Sequence, residues 1–327
     1  MTNFTIPVGR RLRQVLTIAF VFGALLCMFP PEIPVARLWS SYAQLVVLLY
    51  LGLATVFLIG KQERLMFVCL GCCAAMAYYL NESTNSGLAH PAATNTPRLT
   101  ITHLNVGASG ENYGAMLKII QSRQADLVSC QEVNLTWDTV LQHGLRDIYP
   151  FSVSLPDFSA NGLAVYSKMP FISLDTFYFK GMPNLIGKIR LPGSDTIFSF
   201  VSSITRPTII GKDIDELRDH LQRVSFEANK TGGPIFAFGE FNAPPWSGEI
   251  LDFKNATHLL DSRKPLSTTI PNGYFQLLRV PVDHIFYSNE FDCLDFEELS
   301  SNKTWHLGIE GVFQLKSPEK NAEKTAR

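Results

Sequence analysis

The sequence predicts an α/β fold of the α+β type, with packed β-sheets flanked by helices, behind three transmembrane helices. Three observations carry that expectation. Short β-rich runs recur through residues 98–316 with only two clear helical patterns between them; the first 80 residues hold three apolar stretches; a polar stretch separates the two regions. Many strands with few intervening helices favour layered sheets over a single doubly wound parallel sheet.

Taken in chain order, residues 12–29 are apolar and come after Arg10, Arg11 and Arg13. A basic start before an apolar run also fits a signal peptide. The next residues do not read as a mature N-terminus. Pro30, Pro31 and Pro34 make a short break, and residues 39–59 give a second apolar run of spanning length. Lys61 and Arg64 precede a third run, 65–80, closed by Tyr78 and Tyr79, which suit a membrane–water boundary. The positive-inside rule places Arg10–Arg13 and the Lys61–Arg64 loop in the cytoplasm. Three spans then put everything after Asn81 outside it. The expected location is the inner (cytoplasmic) membrane of a bacterium, multi-pass, with a periplasmic C-terminal domain. The expected units are an anchor at 1–80, a linker at 81–97, a domain at 98–316 and a disordered charged tail at 317–327.

Within the domain, residues 99–104, 127–130, 162–167, 197–203, 234–238, 282–287 and 311–315 read as strands. Residues 112–123 place Tyr113, Met116, Leu117 and Ile120 on one helical face, and 215–229 place Leu217, Leu221 and Val224 inward. A hydrophobic share of 46% is high for a wholly soluble chain and agrees with an anchor. The net charge of −1 argues against a constitutive polyanion binder. Cys27, Cys69, Cys72 and Cys73 sit in the apolar third, leaving Cys130 and Cys293; neither a disulfide framework nor a zinc-ligand spacing is visible.

Polar residues gather where the predicted strands end: Asn105, Gln131-Glu132, Glu240 with Asn242, Asp283, and finally His306. The most informative are Gly239-Glu240-Phe241-Asn242, between the apolar run 234–238 and Pro244-Pro245-Trp246. Side chains two apart on a strand point the same way, so Glu240 and Asn242 suit holding a hydrolytic water or a phosphoryl oxygen. Each residue alone reads as a turn or cap residue. Their order and spacing together say more.

In that order the chain resembles the endonuclease/exonuclease/phosphatase superfamily across residues 99–315, and the apolar runs ahead of it resemble a membrane-anchored bacterial branch. The resemblance implies a four-layer sandwich of two mostly antiparallel sheets with helices outside. It implies Mg²⁺ or Mn²⁺ held by Glu132 and Asn105, and His306, Asp283, Glu240 and Asn242 as the catalytic group. Asn242 and Arg206 would hold the phosphate, and Asp283 would orient His306. Three positions depart from the family pattern. Glu240 stands where aspartate is usual, adding a methylene of roughly 1.5 Å in a geometry sensitive at about 1 Å. Trp305 stands where an acidic residue is usual and cannot bind a metal. Arg206 stands where a histidine is usual; it can clamp a phosphate but cannot act as a general acid near neutral pH.

Two functional readings are open. One is a membrane-anchored, metal-dependent phosphoesterase acting on a phosphodiester or phosphomonoester. The other is a catalytically inactive phosphate-ligand or protein-binding module on the same fold. The expected partners are the bilayer, through the N-terminal helices, and a phosphate ester: nucleic acid, phospholipid head group or soluble ester. No stable protein partner is expected. His103 and His284 are expected to point away from the site, His220 to lie on the outer face of its helix and His258 in a loop. Trp246 reads as a packing anchor for its turn, and residues 267–269 as a solvated loop.

Overall fold

Residue alternation gives each central strand two buried faces. Along β1 (Arg98–Asn105), Leu99 and Ile101 enter one apolar cluster while Leu104 enters another on the opposite face. Along β8 (Ile235–Glu240), Phe236 and Phe238 join the first cluster while Ile235 and Ala237 face a third. A strand buried on both faces reads as a continuous apolar run, which is why these segments were legible. The computed structural model describes residues 9–85, 91, 93–107, 110–159, 161–207, 211–263, 280–299 and 308–316.

Among the described residues the strands form two six-stranded sheets. In order across the first are β11 (Phe291–Leu299), β12 (Gly308–Leu315), β1, β2 (Leu127–Gln131), β4 (Leu163–Ser167) and β3 (Phe151–Leu155). The second runs β5 (Phe171–Phe179), β6 (Met182–Arg190), β7 (Ile197–Ile204), β8, β10 (Asp283–Tyr287) and β9 (Leu260–Asp261). Each sheet has one parallel pair, β1–β2 and β7–β8, and is otherwise antiparallel. The sheets pack face to face around Phe198, Phe236, Phe291 and Phe313. Helices α5 (Tyr113–Arg123) and α6 (Leu135–Leu145) cover the first sheet, and α7 (Gly211–Lys230) and α8 (Gly248–Thr257) the second. This is the expected four-layer sandwich.

The N-terminal region, expected to be an anchor, departs from three straight spans. Two helices, α1 (Arg10–Met28) and α4 (Glu63–Ser83), are each long and apolar enough to cross a membrane. The expected second span is instead α2 (Pro34–Ser41) and α3 (Ala43–Ile59), which meet at 74°. The polar Ser40-Ser41-Tyr42 stretch sits at the break, and α2 is fixed by contacts of its own. Trp39 Nε1 donates to Gly23 O at 3.2 Å, and Arg37 Nη1 reaches Glu249 Oε1 of α8 at 2.8 Å. The 17 residues of α3 span about 25 Å, the short end of the range for a membrane helix.

Contacts define how the anchor helices run. Tyr50 Oη donates to Phe20 O, Cys73 Sγ to Val47 O, and Phe29 packs on Tyr79. Thus α1 and α4 run parallel, with α3 antiparallel between them in sequence. Arg10, Arg11 and Arg13 of α1 and Lys61, Glu63 and Arg64 at the start of α4 lie at one end, and Phe29, α2 and Tyr79 lie at the other, against the domain. The stretch expected to be linker from residue 81 begins as helix. Ser83 closes α4 and its carbonyl accepts from Lys254 Nζ at 2.8 Å, while Asn85 N donates to Arg263 O at 3.0 Å.

Candidate active site

Four strand ends converge where the two sheets meet. Asn105 and Gln131 are register partners across β1–β2, and Glu240 and Asp283 across β8–β10. Alternation points Asn105, Glu240 and Asp283 into the space between the sheets, in line with Ile101, Phe238 and Ile285. There Asn105 Nδ2 donates to Glu132 Oε1 at 2.8 Å and to Glu240 Oε2 at 2.9 Å. One buried amide thus draws together carboxylates from both sheets.

Glycines make room for this. Glu132 comes after β2 in a left-handed conformation, φ 58°, and a Cβ on Gly107 would lie 2.3 Å from Glu132 Oε2. Gly239 has φ 146°, and a Cβ there would lie 1.9 Å from Ser203 O and 2.7 Å from Gln131 Nε2. That space is filled by a cross-sheet clamp: Gln131 Nε2 donates to Ser203 O at 2.5 Å, and Gln131 Oε1 accepts from Glu240 N at 2.8 Å. Gly239→Ala is therefore expected to cost roughly 3 kcal/mol, through strain and overpacking together, read as a lower Tm. An unchanged Tm would mean the clamp does not hold the sheets. Asn242 is also left-handed, φ 50°, a conformation asparagine tolerates well, and its Nδ2 donates to Thr205 O at 2.7 Å.

The two histidines expected to point away behave differently. His284 does so: it stacks on Phe286 at 4.9 Å and bridges Asp261 Oδ2 and Ala243 O. Burial works against the Asp261 carboxylate, yet the hydrogen bond and charge of His284, with Arg263 and Lys254, hold it below the ordinary range. His103 corrects the expectation. It is two residues from Asn105 and shares its face, and its Nε2 lies 3.3 Å from Asp283 Oδ1. Its Nδ1 lies 3.3 Å from Ser129 Oγ, itself 3.1 Å from Ser202 Oγ. Asp283 is fully buried, and its backbone carbonyl accepts from the buried Arg263 guanidinium. Burial pulls the Arg263 pKa down, against the neighbouring acids Asp261, Glu298 and Asp283. His306 and Trp305 lie outside the described residues, as do residues 267–269 and the tail 317–327.

Among the described residues, Arg206 is not drawn into the Asn105 cluster by any hydrogen bond. It is half exposed, with Nη1 on Glu216 Oε1 at 2.9 Å and Nη2 on Lys180 O at 3.1 Å. Its position is set by α7, which presents Glu216 to it. His220 also differs from expectation, because 217, 220, 221 and 224 fall on one helical face and that face is inward. It stacks on Phe179 at 4.6 Å, and its Nε2 lies 3.1 Å from Asn184 Oδ1, which accepts from Ser203 Oγ at 2.6 Å.

Burial, with the nearby Arg206 charge, pulls the His220 pKa from 6.5 down to about 4. Above pH 6.5 both folded and unfolded chains carry a neutral imidazole, so stability is full there. Below it the unfolded chain gains a proton that the native one refuses. Stability should fall from pH 6.5 to about 4, by up to roughly 3 kcal/mol from this residue. The Tm of His220→Gln should fall less over that window than the parent's; equal slopes would contradict the assignment.

The paired carboxylates of Glu132 and Glu240, with the carboxamide of Asn105, are hard oxygen donors of the kind Mg²⁺ and Mn²⁺ take. The residues fit such an ion, and Gly107 leaves the room that the Glu132 carboxylate needs. Among the described residues no group of three or more His, Cys, Asp and Glu is placed to hold a metal.

With this geometry in hand, comparison with known proteins decides the family. The sequence profile of the Endonuclease/Exonuclease/phosphatase family matches residues 103–300. The chain belongs to that family. The match runs from β1 to just beyond β11 and so takes in Asn105, Glu132, Glu240, Asn242 and Asp283. Comparison with curated protein sequences finds no match. Among solved structures, an endonuclease/exonuclease/phosphatase from Beutenbergia cavernae superposes with a TM-score of 0.57 at 16% identity, over 68% of this chain and 72% of that one. The human Nocturnin catalytic domain with a bound sulfate anion gives 0.55 at 16% identity, over 68% and 97%. A family protein from Bacteroides thetaiotaomicron gives 0.55 at 16%, over 68% and 100%. At that identity the likeness shows the fold.

Proposed function

We propose that this endonuclease/exonuclease/phosphatase-family domain is a metal-dependent phosphoesterase held at a membrane by its N-terminal helices. The observation that carries the reading is the Asn105 amide between the Glu132 and Glu240 carboxylates, at the mouth of two sheets. A structural scaffold gains little from two carboxylates held together, since like charges at close range oppose each other. A divalent ion at Glu132 and Asn105, when bound, neutralises charge building on a phosphoryl oxygen.

The chain's own residues supply the rest. Glu240 accepts a proton from the attacking water, and its backbone is fixed by Gln131 from the other sheet. Asn242, pinned through Thr205, presents its carboxamide to the phosphate. Asp283 is held rigid between the sheets, suited to orienting the His306 imidazole that the family resemblance implies. Arg206 is a reserve phosphate clamp that must first leave Glu216.

Membrane placement is supported by α1 and α4 and by the bent α2–α3 pair counted as a third span. With the basic helix ends remote from the domain, the positive-inside rule puts the domain on the non-cytoplasmic face of a cytoplasmic membrane.

The test is hydrolysis of bis(p-nitrophenyl) phosphate by the full chain in detergent, with Mg²⁺, Mn²⁺ or EDTA. Metal-stimulated turnover is expected. Rates equal to the EDTA control with either metal would overturn the reading and favour an inactive binding module.

A further inference from the structure

A cavity of about 780 Å³ lies in the seam between the anchor and the domain, a volume ordinary for small-molecule sites. Met28, Phe29, Pro31 and Leu38 contribute to its anchor wall, while Trp246 and Asn242 stand on its domain wall. Asn242, the residue that the family resemblance implies as a phosphate contact, lines the cavity, whereas Asn105, Glu132, Glu240 and Asp283 are not part of its lining.

Three features bear on what enters it. The anchor wall is built from the domain-facing end of α1, from α2 and from Tyr79 near the end of α4. That is the level at which a bilayer surface would lie if these helices span. Around it, Phe29, Ile33, Val35 and Leu38 are 67%, 55%, 78% and 61% exposed. Four large apolar side chains on one short stretch are costly in water and suit a helix lying in a membrane interface. Finally, the lining combines apolar and charged side chains. Met28, Phe29, Pro31 and Leu38 line it beside Arg37 and Arg218, which pair with Glu249 and Glu32 in a network that ties the N-terminal helices to the domain. The Nε of Arg37 is buried and makes no hydrogen bond among the described residues.

We propose that the cavity admits a membrane phospholipid, its phosphoryl group toward Asn242 and the first carbons of its acyl chains against Met28, Phe29 and Leu38. This rests on the phosphoesterase reading and names its substrate class. The remaining acyl length stays in the bilayer, so the volume need accommodate only the head group, the glycerol and the upper chains. Apolar side chains beside two arginines and Asn242 in one lining match the two ends of one amphiphile. A nucleic acid strand matches only the charged part of the lining, and there Glu249 and Asp252 offset the two arginines.

The test uses the full chain in phosphatidylglycerol–phosphatidylcholine nanodiscs containing phosphatidylglycerol with a photoactivatable group high on one acyl chain. Cross-links are mapped by mass spectrometry. Labelling at 28–42 and 244–251 is expected. It should fall at least tenfold in Ser41→Trp, which fills the cavity, and in Leu38→Asp, an exposed position where misfolding is not a concern. Labelling confined to the outward faces of α1, α3 and α4, or unchanged in both variants, would overturn the proposal. A second arm compares phosphatidylglycerol vesicles with bis(p-nitrophenyl) phosphate as substrates. Turnover of the soluble ester without turnover of the lipid would overturn the proposal and leave the phosphoesterase standing. Cavity labelling with neither ester cleaved would support the lipid site and sink the phosphoesterase instead.

Discussion

Glu132→Gln is expected to lower metal-stimulated diester hydrolysis by at least about 100-fold while leaving the Tm in EDTA unchanged or raised. The two halves of that result have one cause. Glu132 and Glu240 both accept from the Asn105 amide, an arrangement that brings two like charges together and suits a cation. Replacing one carboxylate with its neutral isostere removes the repulsion together with the metal ligand. Glu132 lies at the end of β2 and is only partly buried, so its exchange leaves the layers packed. A residue with a structural role would show the opposite pattern, with lower stability and activity falling only in step with it. Turnover and thermal melts on the same preparations separate the two.

Trp246→Ala is expected to destabilise the full chain by about 3–5 kcal/mol, the usual cost of emptying a large buried aromatic site. Trp246 is 2% exposed and packs in the anchor's apolar cluster, although it belongs to the domain. Its indole Nε1 donates to Ser40 O at 2.8 Å, and its carbonyl accepts from Tyr79 Oη at 2.7 Å. Two anchor helices thus hold the turn that comes after Asn242. Trp246→Phe keeps most of the packing and loses one hydrogen bond, for about 1 kcal/mol. Loss of activity in Trp246→Ala beyond the loss of folded protein would show that the anchor braces the site. A melting temperature equal to the parent's would show that anchor and domain fold without reference to each other.

How legible this was in the sequence depended on burial. The inner strands β1, β2, β7, β8 and β10 read as apolar runs because both their faces are covered. The hairpin β5–β6 did not: Ile172, Leu174 and Tyr178 are exposed, and its tight turn is Lys180-Gly181, both at positive φ, where Asn-Gly is the usual signal. The strand-end residues Asn105, Glu240 and Asp283 were legible through the family pattern, and alternation puts them on one face. The same rule applied to His103 would have placed it there too, and helical spacing from Leu217 would have turned His220 inward. Gln131 had no such signal: a glutamine beside a glutamate becomes a clamp only once Ser203 and Glu240 arrive from the other sheet. Arg206 stands where the family pattern has a histidine, whereas its partners come from α7 and from the β5–β6 turn, far from it along the chain. The break in the second apolar run came from contacts with Gly23 and Glu249, which hydropathy does not register.

A single titration joins the carboxylate pair to the chemistry. Mn²⁺ is added to the metal-free full chain, with binding followed by its electron paramagnetic resonance signal and diester hydrolysis followed in the same samples. Bound ion and turnover should rise together with one midpoint, and both should be lost in Glu132→Gln. Hydrolysis that persists in EDTA, or Mn²⁺ binding that survives in Glu132→Gln, would contradict a metal-dependent phosphoesterase with its ion at Glu132.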